Sequence, residues 1–99
     1  MVFNTEKDGG TLTVRADGRL DTVSAPKLEA LLAQELPGAQ AVVIDFEKVT
    51  YISSGGLRVL LNAEQQMEDK GGTVKVIHVN EYIMEIFEMT GFTDILTIE

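Results

Sequence analysis

Hydrophobic and polar positions change rhythm several times along the chain, and each rhythm predicts a different element. Val2–Lys7 reads as a first strand. Thr11, Thr13 and Arg15 then alternate with Leu12, Val14 and Ala16, the two-residue period of a strand with one covered face. Asp8-Gly9-Gly10 lies between them, and glycine tolerates the positive φ that a tight hairpin turn requires. Gly18-Arg19-Leu20-Asp21 leads into a helix with Ser24 as its expected N-cap and Pro26 in its first turn. Leu28, Leu31 and Leu32 keep the i, i+3, i+4 spacing of that helix, and Pro37-Gly38 ends it. The unbroken apolar run Ala41-Val42-Val43-Ile44, continuing through Asp45-Phe46, predicts a strand buried on both faces. A second helix is predicted from Gly55 to Asp69, with Leu57, Leu60, Leu61 and Met67 on its apolar stripe and Gly71-Gly72 at its end. Thr73–Val79 reads as another buried strand. Asn80 caps a third helix carrying Ile83, Ile86 and Phe87 on one face; Gly91 stops it, and Asp94–Ile98 forms a last short strand. The order β-β-α-β-α-β-α-β predicts one α/β domain over residues 1–99. Its mixed, mostly parallel sheet has an N-terminal hairpin and packs against α-helices.

Composition narrows the class. With 44% apolar and 24% charged residues, the chain can build a core and does not resemble a disordered segment. It has no cysteine, which excludes disulfides, thiolate metal sites and a cysteine nucleophile. The apolar runs are too short to cross a bilayer, and Met1–Glu6 lacks the basic and apolar regions of a signal peptide. Together these features predict a cytoplasmic protein. The formal net charge of -8 argues against a nucleic-acid backbone or an anionic membrane surface as partner. Such acidity keeps a small protein soluble and monomeric, or suits a partner with a basic patch.

A search for catalytic or cofactor chemistry finds little. His78 is the only histidine and has no carboxylate or second histidine at helical ligand spacing, so it is expected to be structural, with no metal site. Ser54 falls between a strand and a helix, as an acyl-transfer nucleophile would, but Ile52 stands where a Gly-x-Ser-x-Gly elbow needs its first glycine. Ser53-Ser54-Gly55-Gly56-Leu57-Arg58 matches neither a phosphate-binding loop nor a dinucleotide fingerprint. Gly55-Gly56 could still form a weak anion nest at a helix start.

That segment is nevertheless unusual. Two serines sit at a predicted helix N-terminus, followed by two glycines in its first turn. Simple capping explains a serine. Each glycine, however, costs a helix about 1 kcal/mol relative to alanine, which suggests that something approaches the backbone closely there. The partial positive charge of a helix start would tolerate a phosphate on Ser53 or Ser54.

Here the chain resembles the STAS domain family, and within it the free-standing bacterial anti-sigma-factor antagonists. Their hallmark is a strand, a loop reading Asp-Ser-Ser/Thr/Ala-Gly-Leu, and a helix, with the serine directly after the Asp as phosphoacceptor. Gly56 and Leu57 set the register and place Ser54 at that position, while Ser53 replaces the family's Asp. Gly18-Arg19-Leu20-Asp21, Val43-Ile44-Asp45-Phe46, Gly71-Gly72 and Ile86-Phe87…Gly91-Phe92 follow the family pattern in order.

The resemblance implies a binding module without catalysis of its own and without a cofactor. Unphosphorylated, it would bind an anti-sigma factor that is also a serine kinase and so free a sigma factor. Phosphorylation of Ser54 would end the complex, and a serine phosphatase would reset it. The expected partner-binding residues are Asp21, Ser53, Ser54, Gly55, Gly56 and Arg58, on a chain that is monomeric when free. Two alternatives stand beside it: an unphosphorylated accessory subunit of a transport or signalling assembly, and a nucleotide- or anion-binding module using Ser54, Gly55 and Gly56.

Overall fold

The computed structural model describes all 99 residues. Its elements are β1 (Val2–Asp8), β2 (Thr11–Leu20), α1 (Ala25–Glu35), β3 (Ala41–Ile52), α2 (Ser54–Asp69), β4 (Thr73–Ile77), α3 (Glu81–Met89) and β5 (Thr97–Ile98). One turn of 3₁₀ helix follows α1 and another precedes β5. The sheet order is β1-β2-β3-β4-β5; β1 pairs antiparallel with β2, and every later pairing is parallel. The hairpin turns at Gly9 (φ 56°) and Gly10 (φ 95°), a pair of positive φ values that suits a two-residue connection. This is the mixed α/β fold that the sequence predicts.

Parallel strands added in chain order, with crossovers of one hand, bring every helix to the same side of a sheet. Burial follows that rule. Leu12, Val14 and Ala16 of β2, Val42, Ile44 and Phe46 of β3, and Val74 and Val76 of β4 are buried under the helices. Their alternate neighbours Thr13, Val43, Asp45, Lys75 and Ile77 are only half-buried. The expectation that β3 and β4 are covered on both faces is therefore corrected: the second face of the sheet is open. Leu28 and Leu32 of α1, Val59, Leu60, Ala63 and Met67 of α2, and Ile83 and Phe87 of α3 complete one continuous core. Phe87 links the third helix to the sheet, with its ring centroid 6.3 Å from Phe46 and 6.2 Å from Phe92.

Several boundaries differ from the sequence pattern: β2 runs on past Ala16 to Leu20, and β4 ends at Ile77 and not at Val79. The last strand keeps only Thr97–Ile98, because Phe92–Asp94 turn as 3₁₀ helix. The central strand, in contrast, continues six residues beyond Phe46 to Ile52. Its pairing with β2 shifts register twice, between Arg15 and Asp17 and between Gly18 and Arg19. Each shift gives β3 one extra residue, as a β-bulge does. The buried positions accordingly change from Phe46 to Val49 and then Ile52. The bulged strand carries Ile52 alongside Leu20, and Ser53 N–H donates to the Leu20 carbonyl at 2.8 Å. The ends of β2 and β3 thus finish side by side.

Candidate functional site

The carboxyl ends of parallel strands are where α/β sheets place their sites, because the strand-to-helix loops converge there. Here the loop after β2 meets the start of α2. Ser53 is the N-cap of α2: its backbone is extended, and its Oγ accepts from Gly56 N–H at 3.2 Å. It is only 8% exposed. Ser54, the first helical residue, is exposed, and its hydroxyl makes no hydrogen bond within the chain. Two adjacent serines therefore have opposite roles. One is folded into the cap, and the other is presented to solvent.

Gly56 is buried, and a Cβ on it would lie 2.9 Å from both Ile52 Cγ1 and Leu20 Cγ. What approaches this backbone is the protein's own core, where the first turn of α2 presses on the ends of β2 and β3. Ser53 and Gly56, both expected among the partner-binding residues, are buried here. Gly55 is half-buried and differs: a Cβ there would meet Ser53 Oγ at 3.6 Å and the Ala25 Cβ at 3.7 Å, both ordinary contacts.

Asp21 organises the neighbouring loop. Its Oδ1 accepts from the amides of Val23 and Ser24, each at 3.0 Å, and lies 3.2 Å from Ser24 Oγ. Ser24, the expected cap of α1, makes no side-chain cap bond; its hydroxyl instead donates to the Arg19 carbonyl at 2.6 Å. The three-residue reach of a cap is thus made from Asp21 into the turn that precedes α1. These bonds, led by the Ser24 amide, hold the Asp21 carboxyl below its ordinary range. Oδ2 makes no bond within the chain and remains an acceptor. Val23, at the tip of the same loop, is 72% exposed.

A groove of about 260 Å³ runs between α1 and α2, lined by Thr22, Ala25, Pro26, Glu29, Gly55, Arg58 and Val59. The structure thus places Gly55 and Arg58 on one groove with Thr22 of the Asp21 loop. Glu29, which lines the groove, was not expected there, and neither was the exposed Val23 of the adjoining loop. The signal for Val23 is an apolar residue inside the polar turn Asp21-Thr22-Val23-Ser24, with no periodic partner. Glu29 offers no such signal, because it reads as an ordinary solvent-facing helix position.

A second cluster lies on the open face. His78 Nδ1 is 2.9 Å from Asp45 Oδ1 and 4.0 Å from Glu47 Oε2. His78, just after β4, thus gains the carboxylate neighbours that helical spacing denied it, because the adjacent parallel strand β3 supplies both. Its backbone is left-handed (φ 57°), a region where histidine is enriched among non-glycine residues. The Asp45 hydrogen bond pushes the His78 pKa above its ordinary value of 6.5. Partial burial acts to raise Asp45, but the Glu47 amide, His78 and Arg15 outweigh it and hold the carboxyl low.

A five-stranded sheet with an exposed serine opening the helix after its central strand defines the class of α/β domain. The particular family follows from comparison: a family model described as the STAS domain matches residues 2–99, and the chain belongs to that family. BtrV of Bordetella bronchiseptica is 32% identical over 99 residues, an alignment that covers 99% of this chain and 85% of BtrV. The anti-sigma-B factor antagonist of Bacillus subtilis is 26% identical over 95 residues, covering 96% of this chain and 87% of the relative. The solved structure of the anti-sigma factor antagonist SpoIIAA in its unphosphorylated form superposes with a TM-score of 0.80 at 16% identity, covering 99% of this chain and 87% of SpoIIAA. The phosphorylated form of the Bacillus protein SpoIIAA superposes equally well, at 0.80 and 17% identity, covering 99% and 91%. At those identities the likeness shows the fold. No helix of this chain is long and apolar enough to cross a membrane.

Proposed function

We propose that the chain is an anti-sigma-factor antagonist switched by phosphorylation of Ser54. The observation that carries this is the contrast at the start of α2, where Ser53 is buried and bonded while Ser54 is exposed and free. The names of the sequence relatives support the class of partner. The family's Asp before the acceptor is Ser53 here. Aspartate and serine are both preferred N-caps, so the substitution keeps the cap that presents Ser54.

In this scheme the unphosphorylated surface, formed by Asp21, Ser54, Gly55 and Arg58 with Val23 beside them, binds an anti-sigma factor that is also a serine kinase. Sigma factor is released. Ser54 Oγ then attacks the γ-phosphorus of ATP held with Mg²⁺ by the kinase; ADP leaves, and the serine proton passes to a base or to water. The chain supplies the acceptor and no catalytic group. Phosphorylation adds about -1.5 to -2 charges to an already acidic chain, and burying them in the interface costs several kcal/mol. At 1.4 kcal/mol per decade, a loss of about 4 kcal/mol weakens binding roughly a thousandfold. A metal-dependent serine phosphatase restores the binding form. All of this is set in the cytoplasm.

The test starts by capturing the partner with the unphosphorylated chain, then adds ATP and Mg²⁺ to the complex and maps phosphate by mass spectrometry. Modification of Ser54 with dissociation is expected. Phosphate confined to Ser53, or a partner without kinase activity, refutes the scheme.

A further inference from the structure

We propose that Arg58 holds a phosphoryl group on Ser54 in cis, an inference that rests on Ser54 being the acceptor. Residues 54 and 58 are one helical turn apart in α2, and both are exposed. At i, i+4 spacing the Cβ atoms stand about 5–6 Å apart. Helical side chains lean towards the N-terminus, so the Arg58 stem reaches back over the turn that carries Ser54. An anion one turn before a cation is also the favoured order for such a pair.

Arg58 is available for this contact. Lys7 pairs with Glu35, Arg15 with Glu6 and Lys75 with Glu99. Arg19 lies over the Tyr51 ring at 4.2 Å, and Lys70 donates to the carbonyls of Leu36 and Pro37. Arg58, like Lys27 and Lys48, has no ion pair, even with Glu29 across the groove, but it is the only cation lining that groove. Its planar fork matches two phosphate oxygens at once. Glu29 of α1 lines the same groove, and Asp21 lies in the adjoining loop. Both oppose a second negative charge on the phosphate, and Arg58 offsets them. Phosphorylation would then change the surface twice, by adding anionic charge and by withdrawing the groove's one cation from a docking partner.

The measurement uses the full chain with phosphoserine incorporated at position 54 during synthesis. ³¹P NMR follows the second ionisation of the phosphate in otherwise wild-type protein, in Arg58→Gln and in Arg58→Lys. The pKa is expected to rise by about half a unit in Arg58→Gln, with Arg58→Lys intermediate. Equal values in wild type and Arg58→Gln overturn the pairing. A structural effect alone would not move this ionisation while circular dichroism stays constant. Because no kinase is needed, failure of the pairing is distinct from failure of Ser54 to be phosphorylated by the captured partner.

Discussion

Gly55 and Gly56 are chemically identical neighbours, and their surroundings make them answer differently to one added methyl group. Gly55→Ala places the methyl in ordinary contact and should stabilise the domain by up to about 1 kcal/mol through helix propensity. Gly56→Ala drives it to 2.9 Å from Leu20 and Ile52, where overpacking should cost about 1–3 kcal/mol. Chemical denaturation of both variants checks the pair, and equal effects would refute the packing explanation. Asp21→Asn keeps the Oδ1 acceptor that orders the loop and removes the charge. It should stay within about 0.5 kcal/mol of wild type in stability while weakening partner affinity, as paired denaturation and titration would show. His78 gives a pH signature. Its folded pKa is raised, so the Asp45 pair adds stability that is fully present below about pH 6.5. That stability is lost as pH rises through the higher folded value. The wild-type advantage over Asp45→Asn in thermal denaturation should therefore shrink on going from pH 6 to about pH 9. An advantage that grows with pH would contradict the pair. Sequence pattern indicates the chemistry of these residues but not their neighbours. The unusual run of two serines and two glycines was visible; that one of each faces inward depends on Leu20, which lies more than thirty residues earlier in the chain.

Among the elements, the central strand was the least legible. Its apolar rhythm stops at Glu47-Lys48, yet pairing with β2 continues to Ile52. Each bulge inserts a residue and reverses the alternation, so a strict two-residue period reads the second half as loop. The helices were easier to place, although on α2 the buried positions include Val59 and Ala63, and the expected Leu57 and Leu61 are only partly buried. Asn80 shows how the helices are also tied to the strand. Its Oδ1 caps α3 by accepting from Ile83 N–H at 2.9 Å, and its Nδ2 donates to the Val49 carbonyl at 3.0 Å. Asn80→Asp keeps only the first bond and Asn80→Ala neither. Alanine should cost about 1–2 kcal/mol, and aspartate less, by denaturant titration. If aspartate and alanine cost the same, the cap is not what matters.

For the whole molecule, the exposed area of 5527 Å² is about what a compact chain of 10.8 kDa should have. The Cα radius of gyration, 12.2 Å, is likewise that of a compact domain. The proposed switch needs only a change in the chemistry of this surface. Ser54→Ala should bind the partner constitutively, and Ser54→Asp should bind less well, both with unchanged circular dichroism. Aspartate carries less charge than phosphate, so the loss should be partial. An Asp variant that binds like wild type would exclude electrostatic repulsion as the mechanism. The order of the sheet has a further consequence, in the time of folding. Since β1 to β5 lie side by side in the order in which they occur in the chain, each strand after β1 leaves the ribosome with its neighbour already synthesised. No strand must wait for a distant part of the chain or insert between two others. Assembly can proceed from one edge of the sheet to the other at the pace of synthesis, leaving at each stage a single unfinished edge.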